Sequence, residues 1–142
     1  MVFDMLSLFT GAFLTLLGSL VQYYIGSWSE RRKAITSLIE ELNDNINILR
    51  KLRNMLKSGS RGILPLYTES YVQARNTGAL QKMNKEIRAK LHKIYVNLEV
   101  LNRIAMASIF GLTSPKDPEE FSKHISALIK DMENVKNAIR MN

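Results

Sequence analysis

Few side chains in this 142-residue chain could do chemistry, and they are not spaced to do it. There is no cysteine, which removes disulfides, zinc–thiolate sites and thiol nucleophiles. The only histidines are His92 and His124. Glu120 and His124 stand one helical turn apart and could share a metal ion. The carboxylate-bundle sites that use such a pair repeat Glu-x-x-His on two helices, and that repeat is missing here. A surface ion pair is the better reading of these two residues. No Gly-rich phosphate loop, Walker lysine, nucleophile elbow or metalloprotease helix occurs in the sequence. The expectation is a protein that is not an enzyme, with no catalytic residue, metal ligand or cofactor and no evident small-molecule substrate.

The side chains that do form a pattern are cationic. The chain carries 20 Lys and Arg against 13 Asp and Glu, and every one of the 20 falls after Ser29. Between Arg50 and Lys93 come Arg50, Lys51, Arg53, Lys57, Arg61, Arg75, Lys82, Lys85, Arg88, Lys90 and Lys93, opposed by Glu69 and Glu86. A one-signed surface of this kind suits an anionic partner. Tyr67 and Tyr71, a helical turn apart, could add stacking surfaces, although a place in the core suits them better.

The elements that must carry these residues read as helices throughout. Met5–Trp28 contains no charge and ends in Tyr23, Tyr24 and Trp28, which predicts a single transmembrane helix with its aromatic belt. Arg31, Arg32 and Lys33 follow it at once, so the N-terminus is expected outside the cell membrane and the rest in the cytoplasm. Together with Trp28 they are expected to contact lipid headgroups. Ser7, Gly11, Thr15, Gly18, Gln22 and Gly26 share one face of this segment and could let two anchors associate within the bilayer. The division is then 1–29 as anchor and 30–142 as a cytoplasmic helical-bundle domain.

In that domain Ile35, Leu42, Leu49 and Leu56 repeat every seven residues, flanked by Leu38 and Leu52, and predict a helix from about Glu30 to Lys57. Asn45 falls on this seam, where an Asn can fix register or reach water at a bundle edge. Gly26 and Ser27-x-x-Glu30 leave open whether the helix continues from the anchor. Pro65 opens a short helix to Arg75, closed by Gly78. Ala79–Phe110 reads as one long helix through Leu80, Ile87, Ile94 and Leu101. Asp117-Pro118 starts the last, which runs to about Arg140 through Phe121, Ile125, Leu128, Met132, Val135 and Ile139. The predicted fold is all-α: a transmembrane helix, then an antiparallel up-down-up bundle of three long helices with the short one across an end. The seams also suit an intermolecular coiled coil. That topology places Arg50, Lys51, Arg53, Lys57 and Arg61 beside Lys82, Lys85, Arg88, Lys90 and Lys93 at one membrane-distal tip.

Glu30-Arg31-Arg32-Lys33, Ile39-Glu40-Glu41-Leu42-Asn43 and the stretch Tyr71 to Gly78 with Leu80, Leu91, Tyr95, Leu98 and Leu101-Asn102 give the chain a resemblance. It resembles a loose group of short, uncharacterised prokaryotic membrane-anchored helical-bundle proteins. The resemblance implies no activity and no site residues. The functional expectation is a membrane-anchored interaction or scaffold module whose basic tip holds an anionic cytoplasmic partner, with the lipid bilayer and a protein or a second copy as partners. Alternatives are a tether for nucleic acid, a pore-forming or holin-like effector, and an accessory subunit of a larger membrane complex.

Overall fold

The computed structural model describes residues 2–58, 65–109 and 118–141, with the backbone alone for 2–9, 108 and 109. The question left open at Gly26–Glu30 is answered by continuity. A single helix, α1, runs unbroken over Val2–Lys57, roughly 84 Å at 1.5 Å per residue. It is followed by α2 (Glu69–Asn76), a 3-10 turn (Ala79–Lys82), α3 (Lys85–Ile109) and α4 (Pro118–Met141). The long helix expected over 79–110 therefore divides. After the 3-10 turn, the Asn84 side chain accepts a hydrogen bond from the Glu86 backbone N–H at 2.9 Å and starts α3 as its N-cap. Gly78 closes the preceding turn at φ 69°, a conformation glycine adopts without steric cost.

The expectation of an anchor is overturned. Among the described residues no helix is long and apolar enough to cross a membrane. Polar Thr10, Thr15, Ser19, Gln22 and Ser27, with Gly11, Gly18 and Gly26, break up the apolar run of the first half of α1. The single-pass topology, the outside N-terminus and the cell-membrane location expected from that run lose their basis. The first half of α1 is instead a bare arm. Every side chain from Thr10 to Gly26 is exposed, and the first buried residue is Ala34.

From Ala34 onward α1 is one pillar of a bundle. Ala34, Leu38, Leu42, Ile46 and Leu49 are buried, with Ile35, Ile39, Leu52 and Leu56 packed at the margin. They meet Ile87, Leu91, Ile94, Leu98 and Leu101 of α3, and Ile125, Leu128, Met132, Val135 and Ile139 of α4. These are the predicted seams, and the core they form is the hydrophobic driving force of the fold.

The connectivity differs from the expected up-down-up order. The short helix does not cap an end; it supplies the return stroke. Residues 65–68 come back along α1, α2 descends beside it, and α3 then rises parallel to α1. The contacts fix this direction: Tyr67 lies at Asn45, Ser70 at Glu41 and Thr77 at Arg31. Tyr95 of α3 reaches Glu41, and Asn102 reaches Leu66. Lastly α4 descends, with Ser126 at Arg53 and Lys136 at Asn43.

Buried polar groups, invisible to hydrophobic periodicity, hold this return stroke in place. Asn45 is fully buried. Its amide donates to the Tyr67 carbonyl at 2.7 Å and accepts from the Tyr67 N–H at 2.8 Å. Asn102, from α3, does the same for Leu66, donating at 2.8 Å and accepting at 3.0 Å. Two opposed amides thus satisfy the backbone of consecutive residues, as a neighbouring β-strand would. One step on, α2 has no side-chain cap of its own. The Glu41 carboxylate serves instead, accepting from the N–H groups of Ser70 at 2.7 Å and Tyr71 at 3.3 Å. A carboxylate there also meets the positive end of the helix dipole. The Tyr95 hydroxyl donates to the same carboxylate at 2.8 Å. Tyr95 stacks on Tyr71 with ring centroids 4.2 Å apart. Tyr71 is thus a core residue and offers no free stacking surface, whereas Tyr67 is exposed.

Candidate interaction surface

The topology decides where the cations go. Because α3 starts at the foot of the bundle, the expected single tip is split in two. Arg50, Lys51, Arg53 and Lys57 occupy the end remote from the arm. Lys82, Lys85 and Arg88 lie at the arm end, with Lys90 and Lys93 higher on α3. The two groups stand roughly 30 Å apart along α1, several Debye lengths at physiological salt. Arg61 falls outside the described residues.

The remote group is largely engaged. Arg50 pairs with Glu133 of α4 at 2.5 Å. Arg53 is half-buried and reaches Ser126 Oγ at 3.5 Å. Lys51 and Lys57 remain exposed on α1.

The arm end is different. Arg31, Arg32 and Lys33 of α1 are brought to the level of Thr77 by the hydrogen bond from Arg31 Nε to the Thr77 carbonyl at 3.3 Å. Arg75 lies two residues before Thr77 at the end of α2, and Lys82 ends the 3-10 turn. Lys85 and Arg88 occupy the first turn of α3. Apart from half-buried Arg31, all of these are exposed. Seven cations from four successive elements therefore ring the point where the arm leaves the bundle. Glu30 stands with them, while Glu86 is taken by Lys90 at 2.6 Å, a hydrogen bond that lowers its carboxyl pKa. Ser29, Arg32, Lys33, Thr36 and Ser37, all on α1, border a shallow depression of about 500 Å³.

Sequence reasoning missed the collar. It read Arg31, Arg32 and Lys33 as headgroup contacts and left Arg75 out of the site. Arg32 lies over the Trp28 ring at 5.4 Å, a cation–π contact. The small-residue face is present and exposed on the arm. Thr15 returns its hydroxyl to the Gly11 carbonyl at 2.8 Å, and Ser19 to Thr15 at 2.9 Å. Gly11, Gly18 and Gly26 border open space, and the Ser7 side chain is outside the described residues. Gln22 is exposed on the same face.

Glu120 and His124 are exposed on α4, and no group of three metal-ligating side chains forms among the described residues. Comparison with known protein families, curated proteins and solved structures finds no match to this chain.

Proposed function

We propose that the protein is a non-enzymatic interaction module that docks an acidic protein partner on the basic collar at the foot of its bundle. The observation that supports this reading is the convergence of Arg31, Arg32, Lys33, Arg75, Lys82, Lys85 and Arg88, from four elements, around the base of the arm. Just beyond the collar the arm exposes Tyr24, Ile25 and Trp28. A partner reaching both surfaces needs apolar side chains beside its carboxylates, as an acidic amphipathic helix has. Phosphate recognition alone would leave the apolar half of the surface unused.

The test uses the full chain and a defined probe, an acidic amphipathic helical peptide. One variant changes Arg32, Lys33, Lys82, Lys85 and Arg88 to Glu; a second changes Arg50, Lys51 and Lys57 at the opposite end. The collar variant should lose peptide binding and the remote variant should keep it. Equal binding by both variants refutes the collar. Tighter binding to single-stranded nucleic acid than to the peptide, weakening steeply with salt, would favour the tether reading instead.

A further inference from the structure

The arm is the largest feature left unused by the bundle, and its exposed residues continue a pattern that the bundle itself completes. In the bundle the buried line along α1 runs Leu38, Leu42, Asn45, Leu49, with Ile35 before it and Leu52 and Leu56 after it, spaced alternately by three and four. Counting back through Arg31, the same register gives Trp28, Tyr24, Val21, Leu17 and Leu14 without a miss. On a straight α-helix such a seven-residue repeat drifts by about 20° per heptad, so the line winds slowly round α1 as it passes from the bundle onto the arm. Above Arg31 that seam is covered by α2, the 3-10 turn and α4. Below it, the same seam is open: Leu14, Leu17, Val21, Tyr24 and Trp28 are 62, 42, 55, 79 and 61% exposed.

We infer that the open seam is covered by the arm of a second copy, the two arms lying antiparallel. Size supports a helix as the occupant. Phe13, Tyr24 and Trp28, at 61–79% exposure, offer roughly 400 Å² of ring surface. Leu14, Leu17, Leu20, Val21 and Ile25 bring the face toward the roughly 800 Å² per partner of a stable interface.

Two arguments set the direction. In a parallel pair, the partner's α1 would follow the seam past Arg31 into space that α2, the 3-10 turn and α4 already fill. An antiparallel partner lies along the open seam alone, with Leu17 against Leu17 and Tyr24 against Thr10 of the other arm. A parallel pair would also set two seven-cation collars side by side. The antiparallel pair separates them by roughly the 40 Å length of the arm, well beyond the Debye length. The assembly is then an elongated dumbbell: two bundles at the ends, each collar beside the stretch of the partner's arm that carries Asp4. This rests on reading the chain as an interaction module and adds a second copy as a partner of that same module.

Sedimentation equilibrium of the full chain should give twice 16.2 kDa, and Leu17→Glu with Val21→Glu should weaken dimerisation at least 100-fold. The urea midpoint of the bundle, measured on that variant, should stay near that of the parent chain, showing that the monomer is folded. The absence of cysteine makes crosslinking clean. Leu17→Cys, near the crossing point, should form a disulfide dimer on oxidation. Tyr24→Cys alone should not, but should link to Thr10→Cys when the two chains are mixed, since a disulfide needs Cα atoms within about 7 Å. A monomer at tens of micromolar, a species larger than a dimer, or Tyr24→Cys linking to itself as readily as Leu17→Cys would overturn the pairing. A monomer that still bound the acidic peptide through its collar would sink this inference and leave the docking function standing.

Discussion

Replacing Asn45 with Leu keeps the volume of the side chain and removes both hydrogen bonds to Tyr67. A sequence rule would favour the change, because position 45 lies on an apolar seam between Leu38 and Leu52. The structure predicts the opposite. The Tyr67 N–H and carbonyl, bound at 2.8 and 2.7 Å, lose their partners inside the bundle. Leaving a buried backbone group unsatisfied costs about 1–3 kcal/mol. Tyr67 is 45% exposed, so water can recover part of this, and a net loss of about 2–3 kcal/mol is expected. That is a large share of the roughly 5–15 kcal/mol that holds a domain of this size. It corresponds to a fall in Tm of about 10–20 °C. Urea unfolding followed by circular dichroism measures it directly. Asn102→Leu should cost a similar amount. The double variant should cost less than the sum, because residues 66 and 67 come free together once either amide is gone. An Asn45→Leu protein as stable as the parent, or more stable, would refute the claim that buried amides hold the return stroke.

Four further outcomes follow from particular contacts. Glu41→Gln keeps one acceptor but turns an NH2 toward the N–H of either Ser70 or Tyr71, and should destabilise by about 1–3 kcal/mol, with hydrogen exchange rising first across α2. Burial, then the Glu41 carboxylate, raises the Tyr95 hydroxyl pKa above its ordinary 10.0; burial also raises Tyr71, with Arg75 opposing. The neutral phenol is the form the fold favours, so this stability is complete below pH 10 and falls above it by up to about 1.4 kcal/mol per pH unit for each group; Tyr95→Phe should flatten the alkaline unfolding curve. Gly78→Ala meets no close neighbour, Gln81 being 3.8 Å away, so its cost should be the backbone term alone, about 1–2 kcal/mol by thermal unfolding. Arg50→Ala breaks a pair whose side chains are 50% and 38% exposed, and should cost under about 1 kcal/mol in the same assay.

What could be read from the sequence and what could not divide along one physical line. Apolar spacing marked the buried faces of α1, α3 and α4, because burial of a helix face repeats with the helix. It missed the direction of the return stroke, which is set by Glu41, Asn45 and Asn102. Each is a single polar residue, and its meaning depends on a partner far away in the chain. Pro65 suggested a helix start, but residues 65–68 are held extended by the two amides and α2 begins only at Glu69. The collar was lost for the same reason. Once α3 was assumed to start at the remote end, Lys82, Lys85 and Arg88 were assigned there too. The anchor failed differently: an absence of charge over Met5–Trp28 was taken as apolarity, although hydroxyls, glycines and Gln22 dilute the segment.

The arm itself shows why a lone chain is incomplete. Helices with no tertiary packing are marginal in water. Gly11, Gly18 and Gly26 each cost about 1 kcal/mol relative to alanine within a helix. Intrinsic propensity therefore does not account for helix through residues 10–29, whose side chains are exposed from Thr10 to Gly26. Burial of the seam against a second arm supplies the missing stabilisation: at about 25 cal/mol per Å², several hundred Å² of apolar surface outweighs three glycines. Helix formation in the arm should then be coupled to pairing. Dilution of the chain should reduce its helical circular dichroism, while the bundle unfolds at an unchanged urea concentration. In the Leu17→Glu, Val21→Glu chain helicity should be low at every concentration. Helicity independent of dilution in a chain shown to dissociate would mean that the arm holds its own shape, and that pairing uses a helix already formed.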